Sequence, residues 1–253
     1  MNNNLKNAVE NYVAANIMYF HEARIEKLKT LKLDNLLKRK NPYLYKAKDL
    51  NTPQAVVENL ASAFMSSAEE TMFGDWLEGL AIHVANIMYN GCKSGAEGID
   101  LEMDKDGIHY FVSVKSGPNW SNSSSLKKLC ENFSKARRIF KTSGNKTQCE
   151  CIEGCCYGKD LTPLKSDGRY KLCGKLFWEF ISGDPNLYTE IIQPLGKNAA
   201  YMNMEYKIEY DKMITRFSKD FGADYSDTDG NLLWNKILEL NSGYPKGYKL
   251  DLL

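Results

Sequence analysis

No stretch of this 253-residue chain stays apolar for long. The longest such run, GLAIHVANIMY at residues 79–89, is too short and too interrupted to cross a bilayer. Charge of one sign is also missing. A net charge of +1 means that bulk electrostatics neither demands nor excludes nucleic acid, because a near-neutral chain binds DNA once its basic residues gather on one face. The opening residues, MNNNLKNAVENY, lack a basic segment leading into an apolar core, so no secretion signal is visible and the cytoplasm is the expected location. There is no internal repeat and no low-complexity tract longer than SNSSS at 121–125.

The seven cysteines are an odd count and include no Cys-x2-Cys knuckle. Five of them, Cys149, Cys151, Cys155, Cys156 and Cys173, crowd one stretch of the chain. Alternating positions on a buried strand accept cysteine as a small apolar residue, so core thiols are expected here rather than a disulfide framework or a structural zinc. His21, His83 and His109 fall on helix or strand faces, with nothing nearby to make any of them the base for a nucleophile.

What is present is an ordinary globular composition, 43% hydrophobic and 26% charged, in a chain long enough for one large domain with a helical appendage. Val13, Ile17, Phe20, Arg24, Leu28 and Leu31 recur at helical steps, and this pattern predicts a helix from Val9 to about Lys40. A second helix is expected to start at Thr52-Pro53. A third is expected over about Thr71 to Tyr89, carrying Phe73, Trp76, Leu77, Leu80, Val84, Ile87 and Met88 on one face, with Asn90-Gly91 to end it.

The period then changes to two. Ile99, Leu101 and Met103 alternate with Gly98, Asp100 and Glu102; beyond the turn DKDG, Ile108, Tyr110, Val112 and Val114 alternate with His109, Phe111, Ser113 and Lys115. Burying the apolar sets together puts Asp100, Glu102, Ser113 and Lys115 on the opposite face of a hairpin. The loop SGPNWSNSSS follows, and its serines can cap a helix from Leu126 to about Lys141. Leu126, Leu129, Cys130, Phe133, Ala136 and Phe140 point inward on that helix, and Lys127, Lys128, Lys135, Arg138 and Lys141 point outward. A strand over QCECIEGCCYG, turns at 158–170, a helix at KLFWEFISG and a mostly helical tail complete the chain. Helix–hairpin–helix–strand is an α/β arrangement with a mostly antiparallel edge. The expected division is an N-terminal helical region at 1–50, a core at 51–200 and a C-terminal tail at 201–253.

Asp100, Lys115 and the hairpin between them resemble the PD-(D/E)XK nuclease core, with SVKSGPNW as its third strand and exit loop. FGDWLEGLAIHV is similar to the Gly-x-x-x-Glu helix that precedes the aspartate in many of these nucleases. CCYGKD, FWEFISG and LYTEIIQPLG resemble segments of a group of type II restriction endonucleases with a KSGPN signature, and the likeness runs over roughly residues 41–200. The resemblance implies a central mixed sheet flanked by helices, with N-terminal and C-terminal additions. It also implies hydrolysis of double-stranded DNA with Mg2+ (Mn2+ substituting), a homodimer on a palindromic site and a cognate DNA methyltransferase. The alternatives are a structure-selective repair or junction nuclease, and a DNA-binding relative that has lost its activity.

In the resembled core Asp100 is the principal metal ligand, and Lys115 holds or deprotonates the attacking water or stabilises the phosphate in transit. The residue two before the lysine should be acidic, and here it is Ser113, so a second carboxylate must come from elsewhere. Some relatives that read SVK take it from the following helix, which implies Glu131, although Glu131 sits among lysines on the face away from Leu126 and Phe133. Glu78, at the Gly-x-x-x-Glu position, is the preferred substitute, and Glu102 is the third candidate. The basic helix face (Lys127, Lys128, Lys135, Arg138) is expected to track the phosphate backbone, with Asn119, Trp120, Asn122 and Ser123 supplying donors and one aromatic.

Overall fold

A computed structural model of the chain describes residues 3–197, 199–245 and 247–248. Helix α1 (Asn3–Thr30) is followed by α2 (Leu33–Arg39), so the expected helix to Lys40 is broken at Leu31-Lys32, where Lys32 turns extended at φ −115°. Next come α3 (Pro42–Ala47) and α4 (Pro53–Tyr89). The two helices expected between Thr52 and Tyr89 are this one continuous helix. The segment SSAEE at 66–70 holds neither glycine nor proline and gives the backbone no reason to stop. Asn90, left-handed at φ 51°, ends it, its N–H donating to the Asn86 carbonyl at 3.0 Å.

Strands β1 (Cys92–Lys93), β2 (Leu101–Lys105) and β3 (Ile108–Lys115) lead to helix α5 (Ser123–Thr142) and strands β4 (Gln148–Cys155) and β5 (Tyr170–Cys173). Helices α6 (Lys175–Ser182), α7 (Leu187–Glu190), α8 (Ile192–Gly196), α9 (Ala199–Tyr225) and α10 (Trp234–Ser242) complete the described elements. The sheet order is β1-β2-β3-β4-β5, antiparallel through β3 and parallel from β3 to β5. The fold is therefore α/β with a five-stranded mixed sheet flanked by helices. The hairpin edge, β1 to β3, is antiparallel as expected, and the parallel half makes the sheet mixed. Among the described residues no helix is long and apolar enough to cross a membrane.

The chain forms two compact units, and their boundaries fall at Phe20, Glu69 and Ala199. The first, comprising residues up to Phe20 and Glu70–Ala199, contains the whole sheet. One sheet face (Leu101, Met103, Val112, Val114, Ile152) packs against Leu80, Ala81 and Val84 of α4, Leu5 and Val9 of α1, and Phe177 and Ile181 of α6. The other face is not wholly polar, as alternation alone suggests. Phe111, Cys149 and Cys151 pack under Leu129, Phe133 and Ala136 of α5, and Ile99 joins them instead of the face of Leu101. The polar part of that face is left at the carboxyl ends of β3 and β4, where α/β sheets place their ligands. Cys149, Cys151, Cys155, Cys156 and Cys173 are buried free thiols, and burial pushes those of Cys151 and Cys156 up to about 12.

The second unit, His21–Glu69 with the residues from Ala200 onward, is helical around Leu36, Val57, Leu60, Met213, Phe217 and Phe221. Arg24 is buried in it, and its guanidinium meets Glu69 at 2.8 Å, Asn203 at 2.9 Å and the Tyr206 ring at 3.8 Å.

Candidate active site

The hairpin closes through a two-residue loop, with Lys105 opposite Ile108 and both Asp106 (φ 51°) and Gly107 (φ 77°) left-handed. That turn matches the natural strand twist, and it sets a register in which Leu101 faces Val112. Asp100 stands just before β2, and its N–H donates to the Val112 carbonyl at 2.9 Å. Its side chain therefore lies beside the end of β3. Asp100 Oδ2 accepts from the Val114 N–H at 2.7 Å, the Ser113 hydroxyl at 3.1 Å and the Lys115 ammonium at 3.5 Å. Lys115 also donates to the Val114 carbonyl at 2.9 Å. Ser113 is fully buried, so its hydroxyl orients the aspartate and brings no charge of its own.

Of the other carboxylates, Glu78 is the one electrostatically tied to Asp100. Gly74, one turn earlier on α4, lies close against the end of β3: a Cβ there would stand 3.3 Å from Ser116 Cβ, a tight contact. The helix thus passes close to the exit of β3. Burial pushes the Glu78 carboxyl up, and the neighbouring Asp100 charge adds to this, while Lys93 and Lys115 oppose it. Lys93 lies 3.8 Å from Glu78. Glu102 is engaged elsewhere, accepting from Ser94 and lying 3.3 Å from His109 Nε2. Glu131 is exposed on the outer surface of α5, with no hydrogen bond or ion pair to Asp100. Among the described residues no group of three or more His, Cys, Asp or Glu side chains comes together as a metal cage.

A carboxylate that sequence reasoning passed over lies beside Ser113. Parallel pairing sets Glu153 of β4 opposite Ser113, and its side chain has no exposed surface. Its Oε1 accepts from Trp120 Nε1 at 2.9 Å and meets Lys171 Nζ at 3.0 Å, and its Oε2 accepts from Arg169 Nε at 2.8 Å. Burial pushes this carboxyl up, but the hydrogen bonds from Trp120, Arg169 and Lys171 outweigh it and hold the group below the usual range. The available signal was an acid inside the otherwise apolar run CIEGCC at 151–156.

Residues 7–203, which include Glu78, the hairpin, Ser113, Lys115 and Glu153, match the family model of Type II restriction endonuclease EcoO109I. The chain belongs to this family. No curated protein matches it. Enzymes of this class cleave DNA at specific sites, so this protein is a site-specific endodeoxyribonuclease.

In this EcoO109I-family endonuclease Asn119, Ser123, Lys127, Lys128, Lys135 and Arg138 are exposed. Glu97 holds Lys128 at 3.0 Å and Lys135 at 3.3 Å, and these two ion pairs lower its carboxyl. Two residues expected at DNA already have hydrogen-bond partners within the chain. Asn122 caps α5, accepting from the Ser125 N–H at 3.0 Å in a reciprocal capping box. Trp120 turns inward: its only polar group is bonded to Glu153, and its ring lies against the Phe111–Leu129 cluster.

Proposed function

We propose that this endonuclease hydrolyses double-stranded DNA with Mg2+ (Mn2+ substituting) held by Asp100 and Glu78, in a PD-(D/E)XK core whose second carboxylate comes from the helix before the hairpin. The observation that carries the reading is the Asp100 carboxylate and Lys115 ammonium 3.5 Å apart at the end of β3, with the half-buried Glu78 carboxyl raised by burial and by the neighbouring Asp100 charge. The donor set suits the ion: magnesium takes oxygen ligands, keeps several waters and needs only one or two carboxylates. All three hydrogen bonds to the Asp100 carboxylate end on Oδ2, which leaves Oδ1 for a cation. Asp100 and Glu78 would hold the divalent ion, whose charge would acidify a water and offset that of the scissile phosphate.

The chain's own residues supply the rest. The Val114 N–H and Ser113 hydroxyl aim the Asp100 carboxylate. The Lys115 ammonium holds the attacking water or meets the charge that builds on the phosphate. The outward face of α5 (Lys127, Lys128, Lys135, Arg138), with Asn119 and Ser123, follows the backbone of the duplex. The test is a digest of unmethylated DNA of known sequence in Mg2+. Discrete fragments are expected, with host DNA resistant because a cognate methyltransferase protects it; cutting confined to branched or mismatched DNA would overturn the reading.

A palindromic site calls for a two-fold dimer with one active centre per strand. The helices of residues 1–50, with the C-terminal tail, are the proposed interface. Light scattering on a short cognate duplex is expected to give the mass of two chains per DNA, and a single chain per duplex refutes the dimer.

A further inference from the structure

We propose that Glu153 and Trp120 form a positioning pair that aims the Lys115 ammonium, Trp120 presenting its ring face to the charge and Glu153 fixing that ring. This rests on Lys115 acting in the reaction, as proposed above, and names what holds it in place.

A lysine ammonium sits at the end of four rotatable bonds and needs partners on more than one side to stay in register. Asp100 and the Val114 carbonyl hold Lys115 from the hairpin side. From the other side the ammonium lies over the Trp120 ring, 5.3 Å from its centroid, where the negative face of the π-system attracts it. Trp120 has one hydrogen-bonding atom, and donating it to Glu153 sets the plane of the ring. Glu153 is in turn immobilised by Arg169 and Lys171. Lys171 also donates to the Pro118 carbonyl at 2.8 Å, two residues before Trp120. Ring and loop backbone are thus both referenced to β4 and β5. The Tyr157 N–H, donating to the Ser116 carbonyl at 3.1 Å, ties down the start of the same loop.

The cluster is a poor device for stability alone. A buried acid with two cations is seldom better than apolar side chains of the same volume, because each charge is stripped of water. What an apolar filling would not provide is a fixed acceptor at the indole N–H. Glu153 stands one strand over from Ser113, and it acts through the tryptophan that faces the lysine.

The experiment measures single-turnover cleavage of cognate DNA at saturating Mg2+, and DNA affinity separately in Ca2+. The proteins are the full-length wild type, Lys115→Ala, Trp120→Phe, Trp120→Leu, Glu153→Gln and the Trp120→Leu/Glu153→Gln double variant. Trp120→Leu is expected to slow cleavage about 10- to 100-fold while DNA affinity stays within about threefold, since a misplaced group costs rate rather than binding. Trp120→Phe keeps a ring face without its tether and is expected to fall between wild type and Trp120→Leu. If Glu153 acts through Trp120, the double variant is no slower than Trp120→Leu alone. Should Glu153→Gln fail to fold, the two Trp120 variants still decide the matter.

A folded Trp120→Leu that cleaves at the wild-type rate overturns the proposal. So does one that loses DNA affinity with its cleavage rate intact, or a double variant whose defects multiply. Wild-type cleavage by Lys115→Ala would instead overturn the role of Lys115 itself, a failure distinct from these.

Discussion

Asp100→Asn and Lys115→Ala are each expected to lose at least about a thousandfold in cleavage rate while still binding cognate DNA in Ca2+. The asparagine can keep an oxygen as acceptor for the Val114 N–H and the Ser113 hydroxyl, so the end of the hairpin stays folded and only the charge is removed. The alanine leaves Asp100 its other two donors, and only the ammonium disappears. Each substitution therefore tests chemistry rather than folding. In the same series Glu78→Gln is expected to raise the Mg2+ concentration for half-maximal cleavage about tenfold or more, and Glu131→Gln to leave it unchanged, because the loss of one of two ligand carboxylates weakens the grip on a hard cation. A magnesium titration of the cleavage rate separates them. An Asp100→Asn protein that cuts normally would put the reaction elsewhere in the molecule.

Glu153→Ala has the largest expected effect on stability, a loss of about 3–5 kcal/mol, because it removes the buried counter-charge shared by Arg169 and Lys171. Arg169 keeps only Asp167 as an acid, and Lys171 keeps only the Pro118 carbonyl. The pH dependence has a definite sign. Because the folded protein holds the Glu153 carboxyl below its usual range, its stabilisation is present above the unfolded value of about 4.3 and is lost as the pH falls through the folded one. The gap between wild type and Glu153→Ala is accordingly widest near neutrality and narrows in acid. Urea denaturation at neutral and acidic pH measures it; a neutral-pH gap under about 1 kcal/mol would show that the cluster contributes little.

The sequence by itself determined the elements whose signal is local. Period-two alternation on both sides of DKDG specified the hairpin, and side-chain parity then forced Asp100, Ser113 and Lys115 onto one face before any packing was known. The three- and four-residue spacing of Leu129, Phe133 and Ala136 likewise determined which face of α5 is buried and which is basic. That the chain is a type II restriction endonuclease was legible for a related reason, since the resemblance rested on an ordered set of short segments along the chain.

Only the tertiary structure decided what surrounds the aspartate and lysine. The resemblance put Glu78 ahead of Glu131 and Glu102, but the sequence did not show what any of the three meets. The close pass of α4 at Gly74 ties Glu78 electrostatically to Asp100, while Glu102 meets Ser94 and His109 and Glu131 faces solvent. The pairing of Ser113 with Glu153 was out of reach because parallel strands are joined through a long crossover, so their register leaves no mark in the residues that connect them. Trp120 read as a residue for DNA because its exposed-looking loop is polar, and what turned it inward was a buried carboxylate more than thirty residues away.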